Sequence, residues 1–207
     1  MAQYNKEYFL NKFIADYVVT HQDMQDLIDS TLFYRDDIGF SLNYAVYIAP
    51  QTVVSSINYN HCNLIQLPNL SSQDPSIFII SNNSLTAFSF ESSWSALTDF
   101  NCSYNNFISL NIPGHFNNIT DLNCSNCTLT SFYLNCSTVH LTSLNLSWNS
   151  LPSDQIEDIL HAVELGGSAC AVDLAGGSNA SHSSWSSKAL VSEQNIINNG
   201  GSVISNP

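Results

Sequence analysis

A phrase of about 22 residues returns along this chain with its apolar positions in fixed phase. The three clearest copies are Leu97, Phe100, Cys102, Asn105 and Phe107; Ile119, Leu122, Cys124, Cys127 and Leu129; and Leu141, Leu144, Leu146, Asn149 and Leu151. Each reads L-x-x-L-x-L-x-x-N/C-x-L. The same frame extends backwards through Pro75, Phe78, Ile80, Asn83 and Leu85, and before that through Val54, Ile57, Tyr59, Cys62 and Leu64. A degenerate copy follows a longer insertion, at Ala169, Val172, Leu174 and Gly177. One copy is a short strand and a turn, too small to bury its own apolar side, so neighbouring copies must stack around a shared core.

The pattern resembles that of leucine-rich repeats over roughly residues 48–180. The resemblance implies an α/β solenoid: a curved parallel sheet on the concave side, an N-terminal helical segment and a helix-containing C-terminal cap. It divides the chain into 1–47 as a helical docking or capping segment, 48–152 as repeats, and 153–207 as the degenerate last repeat and cap. Asn83, Asn105 and Asn149 are expected to point inward and satisfy backbone groups of neighbouring turns, with Cys62 and Cys127 in the same position.

Beyond the repeats, Ser153 is expected to cap a helix with acidic residues near its positive end and Ile156, Ile159, Leu160 and Val163 on one face. Gly166-Gly167 ends it. A second helix is expected from about Lys188 to Asn198, stopped by Gly200-Gly201 before a short strand at Val203-Ile204. The first 47 residues carry Lys6, Lys12 and Arg35, three of the four basic residues, and a helical stripe of Tyr8, Phe9, Phe13, Ile14, Tyr17 and Val18. This segment reads either as a cap or as a docking piece for a larger assembly.

A formal net charge of -13 repels phosphate backbones, so no nucleic-acid partner is expected. No stretch has the length and apolarity of a membrane span, and the Met1 end lacks the order of a signal peptide, so neither membrane insertion nor secretory export is expected. Cys124-x-x-Cys127 has metal-ligand spacing, but the repeat frame places Cys62, Cys102, Cys124 and Cys127 at inward positions, as buried reduced thiols. Cys136 and Cys170 have no assigned environment. The six histidines are scattered, and no nucleophile elbow or phosphate loop occurs. Neither a catalytic residue, a metal nor a cofactor is expected. Sequons at Asn101, Asn118, Asn123 and Asn145 follow from the Asn/Ser/Thr richness, and the chain reads as one from a non-glycosylating system.

Binding is therefore the function class to examine. Residues flanking the two central apolar positions of each strand should face outward. They form three columns: Ser56, Ile77, Asp99, Asp121, Ser143 and Ala171; then Asn58, Ile79, Asn101, Asn123, Asn145 and Asp173; then Asn60, Ser81, Ser103, Ser125, Ser147 and Ala175. The expected ligand-binding residues are Asp99, Asn101, Asp121, Asn123, Asn145 and Asp173, facing a polyhydroxylated surface glycan or a host protein. Stacked Asn and Ser could equally serve only the sheet. Replacing Asn101 and Asn123 with Lys is expected to leave the melting curve nearly unchanged. Segment Asp23–Ser30 is similar to attachment segments of phage tail proteins. Together these features point to a virion component used in host attachment, held to other virion proteins through residues 1–45, with self-association left open. A bacterial internalin-like surface adhesin and an intracellular protein-binding scaffold are the alternatives.

Overall fold

The computed structural model describes residues 55–67, 70, 73–92, 94–135 and 140–207. The N-terminal segment 1–47 and Cys136 lie outside the described residues.

The repeat dictates a parallel-sheet solenoid. Six strands fall on the predicted phase: β1 (Ser56–Asn58), β2 (Ile77–Ile79), β3 (Asp99–Asn101), β5 (Asp121–Asn123), β7 (Ser143–Asn145) and β8 (Ala171–Asp173). Each pairs in parallel with the next, one repeat per rung, with Ile57, Phe78, Phe100, Leu122, Leu144 and Val172 in register along the sheet. These central side chains are buried. The tail strand β9 (Ser202–Ile204) pairs in parallel with β8 and becomes a seventh rung of the same sheet.

The opposite side of the solenoid holds an element the phrase did not disclose. Strands β4 (Ser109–Ile112) and β6 (Ser131–Leu134) form a second, two-stranded parallel sheet, burying Leu110, Ile112 and Phe132 against the first. In the following turn helix α1 (Ser153–Gly166) takes the corresponding place, and its Gln155 Oε1 accepts the Phe132 N–H at 3.0 Å. An edge donor of the small sheet is thereby satisfied by the helix that succeeds it.

Helix α1 buries Ile156, Ile159, Leu160 and Val163, and ends at Gly167 in the left-handed region with φ 67°. The N-cap position is held by Pro152 and not by Ser153, which is the first helical residue; no side chain caps this end. Proline's fixed φ suits a helix entrance, and the Ile156 N–H already reaches the Pro152 carbonyl at 3.1 Å. Helix α2 (Ser187–Asn198) has Ser186 as N-cap, accepting from the Ala189 N–H at 3.1 Å. The two helices are joined through Glu164, whose carboxylate accepts from Ser192 Oγ at 2.7 Å and from Asn195 Nδ2 at 2.5 Å.

Inside the coil, aromatic residues fill the N-terminal half. Phe78 stacks on Phe100 with centroids 5.7 Å apart and meets Trp94 edge-on at 4.9 Å. Towards the C-terminus the core turns to leucine and cysteine. Cys102, Cys124, Cys127 and Cys170 are buried free thiols. Cys62, also expected to be buried, is half-exposed.

One inward position ties successive turns together. Asn149 Nδ2 donates to the carbonyls of Cys124 and Leu146, both at 2.9 Å, while its Oδ1 accepts the N–H groups of Cys127 and Leu129, both at 3.0 Å. Asn105 bonds Ile80 and Cys102 carbonyls and the Leu85 N–H in the same way; half-buried Asn83 does so one turn earlier. Cys127 makes weaker versions of both halves, its thiol reaching the Cys102 carbonyl at 3.2 Å and its sulfur taking the Asn105 N–H. In the degenerate repeat this role belongs to Asn179 and not to Gly177: its Nδ2 bonds Leu146 and Leu174 carbonyls at 3.0 and 2.9 Å, and its Oδ1 accepts from Leu151 N–H at 2.9 Å. Gly177 sits in a left-handed turn with φ 61°, where a Cβ would lie 2.6 Å from the Asn149 carbonyl oxygen.

Two expected outcomes follow. In denaturant melts Asn149→Ala should lose most stability and Asn105→Ala nearly as much, roughly 2–3 kcal/mol, with Cys127→Ala nearer about 1 kcal/mol. Equal losses at all three would show that the amide bonds contribute nothing beyond side-chain volume. Glu164 is held below the usual carboxylate range by its hydrogen bond from Ser192 first and that from Asn195 second. A depressed folded value means its contribution is present above the ordinary glutamate range and lost as pH falls through the folded value. The difference in stability between the wild type and Glu164→Gln should therefore shrink on acidification; a difference independent of pH would refute the linkage.

Candidate functional site

The outward face of the seven-stranded sheet is built by register. Cα pairing places Asp99 beside Asp121, Asn101 beside Asn123, Asn123 beside Asn145, and Asn145 beside Asp173, each step about 4.8 Å. Asp99, Asn101, Asp121 and Asn123 line one shallow depression of about 290 Å³ together with Ile77 and Ile79. Asn145 and Asp173 continue the column on the next rungs without lining that depression. The middle column is closed by apolar neighbours, Ile79 beside Asn101 and Ile204 beside Asp173.

Two stacked carboxylates on neighbouring rungs repel each other. Each is supported by the preceding threonine: Thr98 Oγ1 donates to Asp99 Oδ2 at 2.5 Å and Thr120 Oγ1 to Asp121 Oδ2 at 2.8 Å. The asparagines have a different role. Asn101, Asn123 and Asn145 each accept, through Oδ1, the N–H of the serine two residues on, at 3.1, 3.2 and 3.0 Å. They also accept that serine's hydroxyl, at 2.8, 2.8 and 2.7 Å. Asn58 and Asp173 accept the corresponding N–H on their own rungs, both at 3.0 Å. This is the side-chain-to-backbone turn typical of Asx residues.

Two expectations are corrected by this geometry. The serines of the third column do not form an outward row: Ser81, Ser103, Ser125 and Ser147 are buried, while Asn60 at its start is exposed. Alternation of faces holds only while the backbone is extended, and each strand ends after three residues. Beyond it the Asx turn folds the serine under the asparagine, so Cys102 and Ser103 are buried in succession. The middle column is also not free of structural duty. Its oxygens hold the turn, and lysine at Asn101 and Asn123 would remove two acceptors from buried serines, at about 1–3 kcal/mol each; the nearly unchanged melting curve does not follow. The Nδ2 donors of Asn101, Asn123 and Asn145 have no intramolecular partner among the described residues.

A further row lies at the strand exit. His61, Asn82, Tyr104, Asn126 and Trp148 have φ of 56°, 55°, 56°, 54° and 57°, and Gly176 has 79°. The N–H groups of the first five donate to the carbonyl of the serine-column residue on the next rung, at 3.1, 2.9, 3.0, 3.0 and 2.9 Å. The left-handed turn is thus part of every repeat. Glycine or asparagine accepts it readily, whereas other residues lose roughly 1–2 kcal/mol. Tyr104 and Trp148 accept that strain while remaining 56% and 62% exposed. The sequence carries no signal for the positive φ, because the position holds His, Asn, Tyr, Asn, Trp and Gly in turn.

Tyr104→Asn should therefore leave stability unchanged or raise it by up to about 1 kcal/mol, as measured by thermal or chemical melts. A marked loss would mean that the ring supports the fold. No family model, curated protein or solved structure matches this chain.

Proposed function

We propose that this solenoid is a leucine-rich-repeat protein with a non-catalytic role in binding, a virion component that attaches to a polyhydroxylated host-surface glycan through its sheet face. The observation that carries the reading is the run of amide donors on Asn101, Asn123 and Asn145, in register on successive rungs, with no partner within the described residues. Beside them Asp99 and Asp121 supply acceptors. Donors and acceptors alternating across a shallow face suit hydroxyl groups, which do both. Lys and Arg number only four in the chain, so recognition of acidic groups has little support from charge.

Single contacts of this kind are weak, and a particle carrying many copies makes them sufficient. The similarity of Asp23–Ser30 to phage tail attachment segments supports the virion assignment, with residues 1–45 as the docking piece for other virion proteins. An internalin-like adhesin would use the same face, so the two readings differ in location and not in chemistry.

Asn101→Asp with Asn123→Asp separates binding from folding. Aspartate retains the oxygen that the buried serines need and replaces the amide donor by an acceptor. The double variant stacks two further carboxylates beside Asp99 and Asp121, so it should melt below the wild type at low salt and close to it in high salt, and lose adsorption to host cells by about tenfold or more. Full adsorption by a folded double variant would remove the sheet face from recognition.

A further inference from the structure

The strand-exit row carries two exposed aromatic residues with one rung between them. Tyr104, Asn126 and Trp148 occupy equivalent left-handed positions on consecutive turns, so the two aromatic positions are separated by two rungs, about 9.6 Å. Their backbones are pinned: the Tyr104 N–H donates to the Ser125 carbonyl at 3.0 Å and the Trp148 N–H to the Ala175 carbonyl at 2.9 Å.

Trp148 is held further along its side chain. A Cβ on Gly176 would come within 2.7 Å of Trp148 Cε2 and 2.8 Å of Nε1. The indole therefore lies directly against the glycine, and only glycine leaves room for it. With 62% of Trp148 still exposed, the ring is an oriented surface available to solvent. Ring burial does not explain aromatic residues at strained, exposed positions that the neighbouring turns fill with Asn82 and Asn126. Strain retained at an exposed position is a pointer to function.

We propose that Tyr104 and Trp148 form a two-point stacking edge for alternate sugar rings of an extended, uncharged glycan. Sugar rings have an apolar C–H face that packs on an aromatic face, while their hydroxyl rim needs polar partners. Two rungs match the repeat of an extended disaccharide unit. The Asn126 rung lies under the intervening ring, and the amides of Asn123 and Asn145, whose nitrogens have no partner among the described residues, are three residues upstream of Asn126 and Trp148 on their turns. A formal charge of -13 selects against acidic polysaccharides. The proposal rests on the glycan-binding reading of the sheet face and adds the chemical class of the ligand and its direction, across the rungs.

Trp94 and Trp185 are buried and Trp148 is exposed, so acrylamide quenching of tryptophan emission reports chiefly on residue 148. The full chain would be titrated with cellotetraose, chitotetraose and maltotetraose, and with the matching disaccharides. At least one tetrasaccharide should protect Trp148 from quenching and bind about tenfold more tightly than its disaccharide. Trp148→Asn should abolish binding. Tyr104→Asn should weaken it about tenfold and erase the difference between tetra- and disaccharide. Asparagine keeps the left-handed turn in both variants, and melting curves confirm that they are folded.

Protection by none of the three sugars, equal binding of tetra- and disaccharide, or full affinity in either aromatic variant overturns the proposal. The sheet-face reading is judged separately by calorimetry on the Asn101→Asp, Asn123→Asp variant with the same sugar. Loss there with intact aromatic variants leaves the sheet face standing without the stacking edge. Loss in the aromatic variants alone leaves the stacking edge standing without the sheet face.

Discussion

The carboxamide of the inward asparagine is the interaction on which the solenoid depends. Three-residue strands offer few ladder hydrogen bonds, and the backbone must then turn while still inside the coil. Carbonyls left over on the turn have no water to meet. Asn149 joins carbonyls of two consecutive turns with its two N–H bonds, and takes two N–H groups of the earlier turn on its oxygen. One side chain thus fixes the spacing of a rung and the path of the chain leaving it. Stability in such a stack is a sum of terms between neighbours, so a turn with a poorer tie is a local weakness and not a global one. Cys127 is that turn: its thiol donates to the Cys102 carbonyl and its sulfur takes the Asn105 N–H, both weaker bonds than an amide makes.

The outward asparagines use the same functional group in a divided way. The oxygen of Asn101 closes its own turn through Ser103, and the nitrogen has no partner among the described residues. Structure and proposed recognition therefore share one side chain, separated by about 2 Å of amide. This explains why bulky replacements would mix two effects, whereas aspartate keeps the oxygen and puts a charged acceptor in the nitrogen's place, whose repulsion from Asp99 and Asp121 salt screens.

Much of the main sheet was legible in the sequence, and for a physical reason. A stack of equivalent turns repeats its buried positions in strict phase, so Phe100, Leu122 and Leu144 announce their own register before any contact is known. Legibility failed where position alone does not determine backbone direction. The serine column looks outward by alternation and is buried, because alternation ends with the strand. Asn179 was displaced from the frame by two residues and could not be found by counting; its role is visible only in its bonds to Leu146 and Leu174. Strands β4 and β6 were missed because the connecting half of each repeat is not constant in structure: an irregular path, a strand and a helix all occupy it in successive turns. Of the candidate face, the column membership of Asp99, Asn101, Asp121, Asn123, Asn145 and Asp173 was readable, while the consumption of the amide oxygens was not.

The left-handed row shows how a constraint on the backbone becomes an opportunity at the surface. Every turn must reverse at the strand exit, and positive φ there is set by the bond from its N–H to the next rung, whatever side chain the position carries. The conformational cost is smallest for Gly and Asn, and the end of the row has Gly176. That glycine does two things at once, adopting φ 79° and leaving the space into which the Trp148 indole settles. A larger residue at 176 would displace the ring even if its backbone tolerated the turn. The orientation of the exposed tryptophan is therefore written one rung further along the chain, in a residue that presents no side chain of its own.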